Sequence, residues 1–139
     1  MNATVLYTQS VLALATGLSA WPWDEALSIT AEARSRACGS TLKLGLGFDS
    51  EGRISRLGLR CQACAIGQAA AAIFAGAATG RMLDEIARDG EAIADWLAGK
   101  RAMPDWPGLD AIAAAADYPG RHGAIMLPWN AASALLPTA

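Results

Sequence analysis

Apolar and polar residues alternate along three stretches in the first half of the chain, a pattern typical of strands with one buried face. The alternation covers residues 27–34, then 42–48 and 54–59. Turn-forming Asp and Gly occupy residues 49–52, between the last two stretches. We therefore predict three strands, with residues 42–59 forming an antiparallel hairpin.

Apolar residues at helical spacing predict helices on both sides of these strands. One is expected over residues 3–16, and the others over residues 65–77, 81–88, 91–97, 109–115 and 125–136. Pro128 is expected to fit only in the first turn of the last helix, because proline lacks the N–H that later turns use. The order of elements predicts a single α+β domain over residues 1–139, with an N-terminal helix, a small three-stranded antiparallel sheet and a C-terminal helical half.

Composition and charge narrow the classes of function. The 139 residues are 53% hydrophobic and carry a formal net charge of −2, with no basic cluster, so we expect no nucleic-acid binding. No apolar run reaches the ~20 residues of a membrane span, and no Lys or Arg precedes Arg34. We therefore expect neither a membrane segment nor a secretory signal. Three cysteines cannot complete a disulfide framework and suit a reducing compartment, which predicts a cytoplasmic location.

The cysteines are the most informative chemical feature of the chain. Cys38 lies in a stretch of small residues, while Cys61 and Cys64 form a C-x-x-C run between a predicted strand and a predicted helix. Thiolates at such positions are suited to bind a soft metal or to carry sulfur, and a helix start at Cys64 would lower its pKa. His122 is the only histidine. Since no Ser/His/Asp set, acid–base pair or phosphate loop is visible, we do not expect an enzyme.

Three motifs occur in the order found in one known family. Residues 37–40 read Ala-Cys-Gly-Ser, where the family has Ala-Cys-Gly-Asp, and Lys43 follows. Cys64 opens an alanine-rich segment, and residues 118–129 contain Tyr-Pro-Gly-Arg and then Leu-Pro-Trp. In these features the chain resembles the U-type iron–sulfur cluster assembly scaffolds, comprising IscU, SufU and the N-terminal domain of NifU. The last motif resembles the SufU branch.

The resemblance implies the α+β scaffold fold and a non-catalytic role. A scaffold of this kind receives sulfur from a cysteine desulfurase and iron, assembles an iron–sulfur cluster, and passes it to apo iron–sulfur proteins. The resemblance implies that Cys38 and Cys64 hold the cluster, iron or a persulfide, with Arg121 lining the site. Two family features are missing, because Ser40 replaces the acidic residue and Ala124 replaces the third cysteine.

Several ligand sets and functions stay open on the sequence. Cys61 and His122 would complete a Cys₃His set with Cys38 and Cys64, which suits tetrahedral zinc as well as a cluster. A homodimer bridged by Cys38 and Cys64 of each subunit is another route to four ligands. One alternative function is a degenerate scaffold that binds zinc or no metal and acts by protein contact. A second is a Cys61–Cys64 redox dithiol, although no later strands complete a thioredoxin-like fold.

Overall fold

The structure, a computed structural model, describes residues 6–136. Within that range the elements are α1 Gln9–Gly17, β1 Ile29–Arg34, β2 Thr41–Phe48, β3 Ile54–Gln62, α2 Ala65–Ala78, α3 Leu83–Leu97 and α4 His122–Ser133. Three 3-10 segments lie between them, at Leu18–Ala20, Leu109–Asp117 and Pro119–Arg121. The predicted α+β class and its three-stranded antiparallel sheet are confirmed.

The sheet buries one face against the helices. Its strands lie in the order β1-β2-β3, and both pairs are antiparallel. Leu42, Leu44 and Leu46 of β2 are fully buried on the helix-facing side, because alternate residues of a strand point to the same face. These leucines share a core with α2, an alanine-rich helix whose small side chains let it pack closely against α1, α4 and β3.

The opposite side of the sheet, called the outer face below, is partly covered by residues 21–27. A Cβ added at Gly58 would lie only 2.6 Å from the carbonyl oxygen of Pro22. A Cβ added at Gly45 would lie 3.2 Å from the Cβ of Leu27. Glycine on these two strands therefore makes room for the segment that crosses them.

The first strand is shorter than the alternation predicts. It begins at Ile29, and Leu27 instead precedes it and is buried on the outer face. Ile29 pairs with Leu46 on the helix-facing side, but at the end of an edge strand it stays 42% exposed. The third strand is longer than predicted and reaches Gln62.

The predicted break between two helices at residues 88–91 is wrong, because α3 is one continuous helix. Gly90 resembles a helix stop in the sequence, yet it lies inside α3 against Trp129. A Cβ at position 90 would lie 3.0 Å from the Cβ of Trp129. The fully buried Trp129 ring packs edge-on against Phe74 and Trp106, with ring centroids 5.5 and 5.3 Å apart. Gly90 is therefore a packing residue.

Helix α4 differs from the prediction at its start and at its proline. It begins at His122 instead of residue 125, ends at Ser133, and holds Pro128 in its interior instead of its first turn. The missing N–H of Pro128 leaves the carbonyl group of Ala124 without its helical partner. At that point α4 packs against the backbone of α2 at Gly67, so the irregularity lies within a helix–helix contact.

Two further helices depart from the expected bounds. Helix α1 starts at Gln9, after Thr8 accepts a 3.2 Å hydrogen bond from the N–H of Val11; residues 3–5 of the prediction lie outside the described range. The helix expected over residues 109–115 is a 3-10 segment whose buried side chains recur every three positions, as the tighter turn requires. No helix within residues 6–136 has the length and apolar character needed to cross a membrane.

Replacing Gly58 with Ala should destabilise the protein, because the new Cβ would press on the backbone of Pro22. We expect the free energy of unfolding to fall by about 1–3 kcal/mol, as measured by urea denaturation. Gly76→Ala is the control, since no atom lies within 4 Å of a Cβ at this exposed position of α2. That change should leave stability unchanged or raise it by up to about 1 kcal/mol. An unchanged midpoint for Gly58→Ala would contradict the path of residues 21–27.

Candidate functional site

The connection between β1 and β2 forms a closed loop over residues 35–40. The N–H of Ser35 donates to the carbonyl oxygen of Ser40 at 2.8 Å, and the N–H of Gly39 donates to the carbonyl oxygen of Ser35 at 2.9 Å. Gly39 has a φ of +70°, a conformation that a residue with a side chain adopts at a cost. These features hold Cys38 in a defined position beside the end of the sheet.

Cys38 is exposed, yet its sulfur has two hydroxyl neighbours. Its Sγ lies 3.4 Å from Ser35 Oγ and 3.0 Å from Ser40 Oγ, and each serine is only 5% exposed. The Ser35 hydroxyl contributes most to lowering the pKa of Cys38, followed by the hydroxyl and the backbone N–H of Ser40. Burial opposes this shift, and the positive charge of Arg121 adds to it. A thiolate is therefore favoured at this position, since hydrogen-bond donors and a nearby cation stabilise its charge.

The start of α4 packs directly against this loop. A Cβ added at Gly123 would overlap Ser35 Oγ and lie 3.1 Å from Ser35 Cβ, so glycine lets the helix approach the loop closely. Arg121 precedes α4 and donates a hydrogen bond to the hydroxyl of Tyr7 at 3.2 Å. This contact with the segment before α1 holds the guanidinium group on the side of the protein where it acts on Cys38.

Ala124 is fully buried at the place where the resemblance expects a third cysteine. Its Cβ would lie 3.1 Å from a Cβ added at Gly67, so the first turns of α4 and α2 are in contact. Position 124 therefore lies beside the helix that follows Cys64, and it presents a methyl group there in place of a thiol.

Cys61 and Cys64 lie at the junction of β3 and α2. Cys64 occupies the N-cap position of α2, as the sequence predicts. Cys61 pairs with Leu42, which places it on the helix-facing side of the sheet, where it is partly buried. Burial, with a smaller contribution from the charge of Cys64, raises the pKa of Cys61 to about 11. A raised pKa makes Cys61 a poor nucleophile near neutral pH, because the thiolate is the reactive form.

His122 is the first residue of α4 and is only partly exposed. Its Nε2 lies 2.9 Å from the carbonyl oxygen of Ala116. Because a carbonyl group accepts, Nε2 carries the proton in this contact. Nε2 therefore offers no lone pair to a metal, and the lone pair of the ring lies on Nδ1.

The predicted site residues form two groups near one end of the sheet. Cys38 is surrounded by Ser40 and Arg121, while Cys61 and Cys64 are neighbours at the start of α2. Across residues 6–136, no three side chains among His, Cys, Asp and Glu are grouped closely enough to hold a metal ion.

Sequence reasoning missed two residues of the site, Ser35 and Tyr7. Ser35 lies three positions before Cys38 and has the largest effect on its pKa. The Ser-x-x-Cys-x-Ser spacing over residues 35–40 was the available signal. Tyr7 contacts Arg121 from the opposite end of the chain, and no local pattern indicates such a pairing.

Two solved structures share this fold over nearly the whole chain. The N-terminal region of a nitrogen-fixing NifU-like protein from Brucella abortus has a TM-score of 0.85 at 22% sequence identity, covering 95% of this chain and 92% of that chain. The second, from the thermophilic Fervidobacterium islandicum AW-1, is named as an iron–sulfur cluster assembly scaffold protein for the SUF system. Its TM-score is 0.86 at 19% identity, covering 97% of this chain and 100% of that chain.

No family model and no curated protein matches the chain in sequence. The structural likeness extends to all the helices and strands that surround Cys38, because it covers almost every residue of both chains. The chain therefore has the fold of NifU-like N-terminal domains and of SufU scaffolds, as its ordered motifs predict.

Proposed function

We propose that this protein acts in iron–sulfur cluster assembly as a sulfur carrier. In this role Cys38 accepts sulfane sulfur from the persulfide of a cysteine desulfurase and delivers it to a protein that needs a cluster. The observation that carries the proposal is the environment of Cys38, an exposed sulfur between two serine hydroxyls and near a guanidinium group. The shared fold with structures named as scaffolds supports the choice of process.

The transfer step is an exchange between two sulfur atoms. The Cys38 thiolate attacks the outer sulfur of the donor persulfide, and a new S–S bond forms to Cys38 Sγ. The S–S bond of the donor breaks, and its electron pair leaves with the donor cysteine as a thiolate. The outer sulfur keeps its proton or releases it to solvent. No external oxidant or reductant is needed, because one persulfide is exchanged for another.

The environment of Cys38 suits the thiolate before transfer and the persulfide after transfer, through Ser35, Ser40 and Arg121. Before transfer, the two hydroxyls and the guanidinium charge raise the thiolate fraction of Cys38, which is the reactive form. The loop backbone keeps the sulfur exposed, so a bulky donor can approach it. After transfer, the same positive charge favours the anionic persulfide. The site can therefore hold sulfur without a bound metal.

The available ligands suit sulfur transfer by a single thiol better than they suit the binding of a complete cluster. In this process a cluster would be cargo. A stable cluster takes four protein ligands. Here Ala124 supplies no thiol, and within residues 6–136 no three His, Cys, Asp or Glu side chains are grouped closely enough to hold a metal ion. The resemblance keeps Cys38 and Cys64 as candidate ligands for iron. Cluster assembly on this chain would need ligands from a second protein.

A second candidate is a domain that acts by contact with the assembly machinery and carries no sulfur. The buried Ala124 favours this reading, because a methyl group occupies the position where the resemblance expects a thiol. Stoichiometric zinc lost from both Cys38→Ser and Cys64→Ser would instead indicate that these thiols form a metal site. Metal analysis of freshly purified protein separates these cases.

The pH dependence of Cys38 alkylation tests the role of the two hydroxyls. We expect the iodoacetamide rate at Cys38, followed by peptide mass spectrometry, to rise with pH around a midpoint below that of an ordinary exposed cysteine. Ser35→Ala should move this midpoint to higher pH, because it removes the hydroxyl that lowers the pKa of Cys38 most. Arg121→Gln should move it in the same direction by less. Ser55→Ala, an exposed serine on β3, is the control; equal midpoints in all four proteins would contradict the described environment.

Sulfur transfer from a desulfurase tests the function itself. With cysteine desulfurase and ³⁵S-labelled cysteine under anaerobic conditions, the protein should gain label that thiols release, and mass spectrometry should find one added sulfur on Cys38. Cys38→Ser should abolish the label, because it removes the attacking thiolate. Cys61→Ser should retain it, since that thiol is protonated and partly buried. If the label persists in Cys38→Ser and disappears in Cys64→Ser, the carrier is Cys64 and the proposed role of Cys38 is wrong. If no label is found in the wild-type protein, the proposal as a whole is wrong.

A further inference from the structure

The part of the outer face next to loop 35–40 carries three cations that the sulfur site does not use. Lys43 lies opposite Arg60 in the β2–β3 register, and Arg34 lies opposite Thr41 in the β1–β2 register. None of the three forms an ion pair within residues 6–136. One carboxylate, that of Glu32, lies opposite Lys43 on the same face. The net charge of the chain is −2, so this positive surface contrasts with the protein as a whole.

The pairing of Lys43 with Arg60 places two like charges on adjacent strands, which destabilises a sheet. Trp23 partly offsets this cost. Lys43 Nζ lies 4.7 Å from the centre of its ring, and the Arg60 guanidinium lies 5.5 Å from it. The Trp23 indole N–H donates to a carboxylate oxygen of Glu25 at 2.9 Å, which orients the ring. Two cations held beside one aromatic ring, neither of them in an ion pair within residues 6–136, are arranged to meet an anion from outside.

These side chains line a concave site that adjoins the Cys38 loop. Its volume is about 440 Å³, and its polar lining consists of Glu32, Arg34, Thr41, Lys43, Arg60 and Gln62. Arg34 is the last residue of β1, and Thr41 is the first of β2, so both directly flank loop 35–40. A protein segment seated here would therefore lie next to the loop that carries Cys38.

We propose that this outer-face cavity is the docking surface for an acidic segment of the protein that donates sulfur to Cys38; this inference rests on the function proposed above. Three cations against one carboxylate give the surface its charge complementarity to glutamate and aspartate side chains. The cations form one compact concavity and not an extended stripe, and the chain is acidic overall, which disfavours a nucleic-acid backbone. In this arrangement the donor protein is recognised on the outer face, while the sulfur exchange takes place at Cys38 in loop 35–40.

The kinetic test compares two double charge reversals. Arg34→Glu with Arg60→Glu removes the positive surface, while Lys100→Glu with Arg101→Glu makes the same change of charge at exposed residues after α3. At low salt, desulfurase-dependent labelling of Cys38 should be about tenfold slower in the first variant and unchanged in the second. The difference should shrink at high salt, since screening weakens long-range attraction. The glutamine pair Arg34→Gln with Arg60→Gln should give an intermediate rate, and circular dichroism checks that each variant is folded.

A binding test uses a defined probe in place of the desulfurase. A twelve-residue peptide of alternating Glu and Gly should shift the NMR signals of the Trp23 indole and of residues 41–43, and these shifts should be absent in the Arg34→Glu, Arg60→Glu variant. Inorganic phosphate and a short DNA duplex are run at the same charge concentration. Tighter binding of either one than of the peptide would overturn the proposal of an acidic protein partner.

A small donor distinguishes the failure of docking from the failure of sulfur carriage. Cysteine persulfide needs no docking surface, so it should modify Cys38 at equal rates in all the charge variants. If cysteine persulfide and the desulfurase both leave wild-type Cys38 unmodified, the sulfur-carrier function is wrong. If the desulfurase modifies wild type and the Arg34→Glu, Arg60→Glu variant equally fast, the docking surface is wrong while the carrier function stands.

Discussion

The close approach of α4 to its two neighbours is the constraint on which the site depends. At Gly123 the helix meets the Ser35 side chain, and Ala124 in the next position meets the backbone of α2 at Gly67. A larger residue at either glycine would require α4 or its neighbours to shift, and Arg121, which lies near Cys38, directly precedes α4. The same contacts hold Ser35 at the base of the loop. Because Ser35 lowers the pKa of Cys38, the ionisation of this exposed thiol depends on how the start of α4 packs.

The replacement of an acidic residue by Ser40 changes what this corner of the fold can do. A carboxylate beside Cys38 would oppose ionisation of the thiol and would offer an oxygen ligand to iron. The Ser40 hydroxyl does the reverse, since it lies 3.0 Å from the sulfur and helps to lower the pKa of Cys38. Together with Ala124, Ser40 gives the site fewer metal-ligating groups than the resembled motifs would, which is in keeping with the proposed sulfur chemistry. The two departures from the family pattern are therefore consistent with each other.

Local patterns predicted the parts of the fold that local physics determines. Alternation located β2 and the hairpin, and the small-residue segment placed Cys64 at the start of α2. The errors arose where a distant contact outweighs local preference. Gly90 continues α3 because Trp129 needs its space, and Pro128 is accommodated inside α4. Within the site, Tyr7 acts through a contact with Arg121 that no residue spacing reveals, whereas the spacing around Cys38 could have indicated Ser35, and the cysteines and Arg121 were identifiable from their motifs.

In the proposed function, the sheet keeps two tasks of a sulfur carrier apart, namely recognition of the partner protein and exchange of sulfur. A thiol that exchanges sulfur has to be exposed and ionised. A short loop that meets these two requirements has few residues left to select the partner protein. The outer face can supply specificity without touching the sulfur, because its cations are anchored on strands and around Trp23. Loop 35–40 joins the two, since its ends continue directly into β1 and β2. Under the proposal, a partner held by the strands would therefore be bound next to the loop that carries Cys38, because both strands run directly into that loop.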